Sequence, residues 1–388
     1  MKQLFTLAIL CVVFQLFAQG PTVILSDSAR VSLMTADPGE DLYSTFGHSA
    51  IRVHDALNRV DRCYNYGTFD FDQPNFYLNF CRGKLLYSLD VESYRGFEYG
   101  YLRERRTTRE QILNLNKEQR QRIYELLQTN ALPENREYKY DFFYDNCATR
   151  IRDMVKETFF HQIAFDSTGK KPGTTMRQLL RPYLKDLPWT QFGIDLVLGA
   201  ASDRKALAED YMFLPDHAHD MIRGTKLDNG QGLVISERMV PEEGFRRAAY
   251  EPGFFGNPLY VMCLVALIGL LSMANPRTEH IFDTLFWFVL GVAGLIIALL
   301  WFATDHSATK TNLNMFWALP THLLYFWRRT KSEWTQNYFT GAGILAALML
   351  IFWKFIPQDM PVAAIPIAGL VVVKALWRRY WKRGNEIA

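Results

Sequence analysis

Hydrophobic residues follow two regimes along this chain. Between about residue 30 and residue 250 they alternate with charge in short runs, and from Pro258 onward the chain is largely apolar. The second regime holds five apolar segments, roughly 259–274, 281–303, 314–327, 339–356 and 361–377. A bilayer span needs about 20 residues. The third and fifth segments are short, and the third is expected to tilt, to dip, or to begin in a loop packed on the bundle. In the first regime, DLYSTFGHSAIRVH, a turn around Asp55–Asn58 and RVDRCYNYGTFDFD predict a β-hairpin. Centred between Ala56 and Leu57, it sets His48 opposite Asn65, within cross-strand reach. FYLNFCRGKLLYSLDVESYRGFEYGY predicts short β pieces broken at Gly83. Residues 107–128 have helical periodicity, with a second helix starting near 117 behind the capping-box pair Asn116 and Gln119. Ile123, Leu126 and Leu127 form its buried face. Asn146 caps a helix that contains Cys147 and buries Ile151, Met154 and Val155, while Arg150 and Arg152 face solvent or carboxylates. Further on, DSTGKKPGTTMRQLLRPYL predicts a loop and a helix, and DNGQGLVISERMVPEEG a short hairpin.

The 388 residues suit two domains. Residues 1–18, MKQLFTLAILCVVFQLFA, have one lysine, a long apolar run and a small residue at the end, the pattern of a signal peptide cleaved after Ala18. Residues 19–257 are then an extracytoplasmic domain, and 258–388 a membrane domain with about five transmembrane helices. With the soluble part outside, Arg277, the Arg328–Arg329–Lys331 group and the tail residues Arg378, Arg379, Lys382 and Arg383 all fall inside. Lys310 is the main cation of the outer loops, which fits the positive-inside rule. The formal charge of +3 is small and no basic field with stacking aromatics accompanies it, so nucleic acid is not an expected partner. Four cysteines follow the signal, too few for a disulfide scaffold. Cys63 and Cys81 are either a bridge or two ordinary core residues, and Cys263 is a small apolar filler in a span.

Cys147 at a helix start and His48 at a strand start can together build a thiol nucleophile and its base. A helix amino end and a neighbouring imidazolium both lower a thiol pKa from about 8.5. The thiolate attacks an acyl carbonyl, and the imidazole protonates the leaving alkoxide and then deprotonates the incoming nucleophile. Asn65 is the expected orienting group, and helix-start N–H groups, including that of Cys147, the oxyanion donors. A purely structural cysteine is the competing interpretation. His54, on the same strand face by parity, is a backup base. His217 and His219, in PDHAHD, are a metal pair or part of a surface loop, and His161 is structural. The outer loop TDHSATKTNLNMFWALPTH (304–322) clusters Asp305, His306, Asn312 and Asn314 at the membrane face. Polar groups there are costly unless paired, so the cluster either binds substrate or caps the third segment, with Asn312 or Asn314 starting a helix that Pro320 bends. Neither a phosphate-binding glycine loop nor an HExxH motif occurs, and no metal or cofactor is expected.

TFGHSAIRV, YNYGTFDFDQPNFYLNFCRGKLLYSL, YDFFYDNCATRIRD and DHSATKTNLNMFWALPTH together resemble the Lnb-like proteins of Gram-negative bacteria. The resemblance covers nearly the whole mature chain. It implies an α+β extracytoplasmic domain of circularly permuted NlpC-type (papain-like) fold, in which histidine precedes cysteine, followed by an α-helical membrane bundle in the inner membrane. It also implies N-acylation of the amino-terminal cysteine of a diacylated lipoprotein, with membrane phospholipid or the lipoprotein's own diacylglycerol group as acyl donor. His48 carries over as base and Cys147 as nucleophile. Asp305, His306, Asn312 and Asn314 match a family segment without a fixed role. Two alternatives stand beside this: a membrane-tethered cysteine hydrolase (peptidase, amidase or lipase), and a non-enzymatic envelope protein that binds a lipid or a partner.

Overall fold

The computed structural model describes residues 23–241, 251–324 and 333–387. The expected signal segment and the Arg328–Arg329–Lys331 group lie outside the described residues. The amino-terminal part is built on β1 (Arg30–Ala36), β2 (His48–Asp55), β3 (Val60–Thr68), α1 (Phe76–Cys81), β4 (Leu86–Ser93), α2 (Tyr94–Arg103), β5 (Thr108–Leu113), α3 (Lys117–Asn130), β6 (Glu137–Lys139), α4 (Cys147–Thr158), α5 (Met176–Leu184), α6 (Pro188–Val197), α7 (Pro215–Gly224) and β7 (Val234–Val240). The strands form one antiparallel sheet in the order β6-β4-β3-β2-β1-β5-β7. Strand alternation gives this sheet two apolar faces. Val31, Leu33, Ile51, Val53, Tyr64 and Tyr66 pack with Ile123 and Leu127 of α3 and with Ile151, Met154 and Val155 of α4. Met34, Ala50 and Cys63 point the other way, against Tyr94 and Phe97 of α2.

The expected hairpin and the Asn116–Gln119 capping box are present. Leu126, expected on the buried face of that helix, packs against the core and is partly covered. Three expectations need correction. Residues 108–113 are a central strand, not a helix. With both faces covered they show no alternation, and sheet pairing to β1 and β7 outweighs the local helical spacing. The β pieces expected around Gly83 are in part helical: α1 precedes the glycine, and α2 begins where the Ser93 side chain accepts from Gly96 N–H. β7 is an edge strand on β5 rather than an arm of its own hairpin.

The carboxy-terminal part comprises α8 (Pro258–Leu271), α9 (Pro276–Phe302), α10 (Glu333–Ile351) and α11 (Ile365–Ile387). By length and composition alone, α9 is the described helix that suffices for a bilayer span. The third apolar segment is not a continuous helix over its described residues. It forms two 3-10 turns, Leu313–Phe316 and Pro320–Leu323, laid against α9. Gly291 and Gly294 make that approach possible, since a β-carbon at Gly294 would lie 2.1 Å from Ala318 O. Lys374 and Arg378 of α11 pair with the buried Asp283 of α9, 2.7 Å each, so the expensive intramembrane charges are matched.

The two parts are joined at the carboxyl end of α6. Its free carbonyls receive Asn312 Nδ2 (Leu196 and Val197 O, 2.8 and 3.1 Å), Asn314 Nδ2 (Asp195 and Leu196 O, 3.4 and 3.1 Å) and Gln358 Nε2 (Leu198 O, 3.2 Å). Arg177 of α5, 1 % exposed, closes the same knot with Asp195, Asp203 and the carbonyls of Leu198 and Gly199. Gly199 lies so close to the outer loop that a β-carbon there would meet Lys310 O at 1.9 Å.

Candidate active site

α4 opens at Cys147 because Asn146 ends the preceding extended segment with a full capping box. Its Oδ1 accepts from the N–H groups of Ala148 and Thr149, both at 2.9 Å, and Thr149 Oγ1 accepts from Asn146 N–H at 2.7 Å. The Asn146 amide is itself held, donating to Phe142 O and Phe213 O at 2.8 and 2.9 Å. The nucleophile candidate therefore sits on a rigid, buried helix tip.

His48 is the first residue of β2. The observed register pairs Ile51 with Tyr64 and Asp55 with Val60, which continues to Ala50 opposite Asn65. The hairpin is thus offset by two residues from the expected pairing. An offset of two preserves parity, so Asn65 stays on the His48 face as a diagonal neighbour. The hydrogen bond survives: His48 Nε2–H donates to Asn65 Oδ1, and Asn65 Nδ2 donates to Glu92 Oε1 at 3.4 Å.

The ring of His48 and the thiol of Cys147 face each other, close enough for each to shift the other's protonation. Burial pushes the Cys147 thiol up, but the charge and hydrogen bond of His48 and the N–H groups of Ser49 and Ala148 outweigh it, so the thiol falls below its ordinary value. Burial pulls the imidazole down, and the Cys147 thiolate and Asn65 overcome this, raising it. The pair is biased toward thiolate and imidazolium. Gly67, at φ +85° in a β-bulge of β3, fits beside them: a β-carbon there would lie 3.6 Å from Cys147 Cβ and 3.7 Å from the Tyr140 ring. Tyr138 and Tyr140 complete this wall, and burial with the nearby thiolate raises both phenols. Reading the sequence singled out neither tyrosine, although both stand in the strand-like YKY run just before the cysteine.

Other candidates fall elsewhere. His54 pairs with Asp61 at the far end of the hairpin. His217 and His219 lie on α7 rather than in a loop. His217 shares a hydrogen bond with Lys170 at 3.0 Å, His219 is buried near Glu237, and no metal-holding cluster occurs among the described residues. His161 is exposed and pairs with Glu157 at 2.9 Å. Cys63 and Cys81 are free thiols, so the bridge is absent, and Cys81 is exposed rather than core. Arg150 is paired with Asp145 and Arg152 with Asp153.

The outer-loop cluster splits in two. Asn312 and Asn314 are fully buried in the α6 junction, with Asn312 capping a 3-10 turn instead of a helix. Asp305 and His306 touch the amino-terminal domain: Asp305 N–H donates to Arg82 O at 2.8 Å, Asp305 pairs with Lys139 at 3.6 Å, and His306 Nε2 hydrogen-bonds Phe80 O at 3.0 Å. Next to them Ser307 Oγ donates to Asp141 Oδ2 at 2.5 Å, in the segment that leads into Cys147.

Residues 23–182 match the Lnb N-terminal periplasmic domain, and residues 250–384 match the Lnb transmembrane domain. No curated protein and no solved structure matches the chain. The two matches take in most of the chain and follow the order of its mixed α/β and helical parts. They make it a multi-pass inner-membrane protein with its amino-terminal domain in the periplasm, acting on lipoprotein and membrane lipid. The chain belongs to the Lnb family of cysteine-dependent lipoprotein N-acyltransferases.

Proposed function

We propose that Cys147 carries the acyl group as a thioester, with His48 as its acid and base and Asn65 as the group that orients the ring. The observation that carries this reading is the facing of thiol and imidazole at the capped start of α4, where each favours the charged form of the other. Because His48 Nε2–H is committed to Asn65, Nδ1 is the nitrogen that exchanges a proton with sulfur. The thiolate attacks the ester carbonyl of a membrane lipid or of the lipoprotein's own diacylglycerol group. A C–S bond forms, the C–O bond breaks, and the alkoxide leaves with the proton of the imidazolium. The Cys147 N–H, which neither arm of the Asn146 cap uses, and the Ser49 N–H are the oxyanion donors. The neutral α-amine of a diacylated lipoprotein cysteine, with a pKa near ~8, then attacks the thioester. His48 takes the amine proton, the C–N bond forms and the thiolate departs.

In this reading residues 1–18 are the export signal, 19–257 the periplasmic catalytic part and 258–388 the membrane part that holds both acylated partners at the outer leaflet, where orientation supplies much of the rate. Asp305 and His306 are accessory, holding the loop before β4 against the membrane domain. Asn312 and Asn314 serve the junction. The test is the position of the acyl chains on a synthetic diacylated lipopeptide, read by fragmentation mass spectrometry after incubation with enzyme in bilayers. An acyl chain on the α-amine with wild type and none with Cys147→Ala is expected. Free fatty acid or a cleaved peptide in place of the N-acyl product overturns the reading in favour of a hydrolase.

A further inference from the structure

A buried sulfur and a membrane-bound ester have to meet, and drawing an acyl chain through water is costly for every CH₂ exposed. An apolar route from bilayer to thiol removes that cost. α1 and the turn before it carry large apolar side chains facing outward: Tyr77 is 76 %, Phe71 61 % and Phe80 51 % exposed. Such a contiguous patch is uncommon on a surface that faces only water. The patch is fixed at the membrane domain, because Arg82 O and Phe80 O are the acceptors for Asp305 and His306, just beyond the outer end of α9. Gly83, at φ +67°, permits the contact, since a β-carbon would meet His306 N at 3.0 Å.

From this patch a row of rings runs inward. Phe71 meets Phe76 at 4.9 Å between centroids, Phe76 meets Phe69 at 5.8 Å, and Phe69 meets Tyr87 at 5.4 Å. Tyr87 stacks on Tyr140 at 4.3 Å. Tyr140 and Cys147 then flank the same side-chain-free position, Gly67. The row is continuous from the exposed helix to the sulfur.

We propose that α1 is a wedge seated in the outer leaflet, and that the acyl chain of a membrane lipid lies along this aromatic row with its ester carbonyl at Cys147. The partner is a lipid surface and not a protein. The row ends in contact with the membrane domain at one end and with the nucleophile at the other, and its exposed members are aromatic, the type that favours the bilayer interface. The proposal rests on Cys147 as the acyl carrier.

The test uses the full chain in phosphatidylethanolamine–phosphatidylglycerol nanodiscs and the triple variant Tyr77→Ser, Leu78→Ser, Phe80→Ser, all exposed positions. Intact mass reads acylation of Cys147 from bilayer lipid and from a water-soluble short-chain nitrophenyl ester. The variant is expected to lower the ratio of bilayer to soluble acylation about tenfold or more. A ratio within about twofold of wild type overturns the wedge. A wild type acylated by neither donor overturns the carrier reading, and the wedge is then decided by fluorescence. A tryptophan introduced by Tyr77→Trp, measured as the difference from wild type, is expected to be quenched by chain-brominated lipid. The same change at Leu207, exposed just before the periplasmic 3-10 turn Ala208–Phe213, is expected to escape quenching. Equal quenching at the two positions overturns the proposal.

Discussion

The thiol pocket and the α6 junction both bury polar groups in apolar surroundings, yet they answer the cost of burial in opposite ways. At the junction one guanidinium meets two carboxylates and three carbonyls, and three amides meet carbonyls at the end of α6. Every charge there has a fixed opposite, so nothing is left to react. In the thiol pocket the compensation is the mutual attraction of thiolate and imidazolium, with Asn65 as the outer support. Removing a junction group should therefore cost stability, and removing a pocket group should cost rate.

The sharpest way to break this contrast is Cys147→Ala. We expect N-acylation of the lipopeptide to fall more than about 10³-fold, because the covalent route is gone, while the melting temperature stays near that of wild type. His48→Gln should lower N-acylation about 10²–10⁴-fold. It should also move the pH profile of Cys147 alkylation. In wild type the thiol pKa is depressed, so thiolate persists as pH falls below the ordinary thiol value and is lost only on falling through the lowered one. Without His48 only the Ser49 and Ala148 N–H groups oppose burial, and the alkylation midpoint should shift to higher pH. A midpoint unchanged by His48→Gln would sink the ion pair.

Arg177→Met tests the other side of the comparison. It leaves Asp195 and Asp203 buried and unpaired, a loss of about 3–5 kcal/mol. Thermal melting should show the drop, and acyl-thioester formation per folded molecule should change little. Asn65→Ala should sit between the two behaviours, with N-acylation down on the order of tenfold or more and little effect on folding, since it loosens the imidazole without removing it.

Much of the pocket was legible before the fold was known, because its determinants are local. Asn146 caps Cys147 through atoms two and three residues away, and hairpin parity keeps Asn65 on the face of His48 even when the register moves by two. The junction was not legible. Asn312 and Asn314 find their acceptors on α6, more than a hundred residues upstream, and a sequence pattern cannot tell such pairing from a substrate site. β5 was misread for a related reason: a strand covered on both faces carries no alternation, and TTREQIL then reads as helix. Tyr138 and Tyr140 reach the thiol only because β6 pairs with β4, a contact between distant segments.

The smallest expected effect sharpens the comparison most economically, because it sets two buried cysteines of one domain side by side. Cys63 is wholly buried on β3, and there burial and the carboxylates of Glu92, Asp61 and Glu110 raise its thiol against the pull of Arg52. Cys147 is buried almost as deeply, and its thiol falls instead, because an imidazole and two N–H groups face it. Burial alone therefore predicts two inert thiols, whereas the neighbours predict one inert and one reactive. With the exposed Cys81 and Cys263 replaced by alanine, iodoacetamide near neutral pH should alkylate a single fast site. Adding Cys63→Ala should leave that rate within about twofold, and adding Cys147→Ala instead should abolish it. The reverse pattern, a fast phase that disappears with Cys63 and survives without Cys147, would remove the nucleophile assignment, since the property that distinguishes the two sulfurs would then belong to the wrong one.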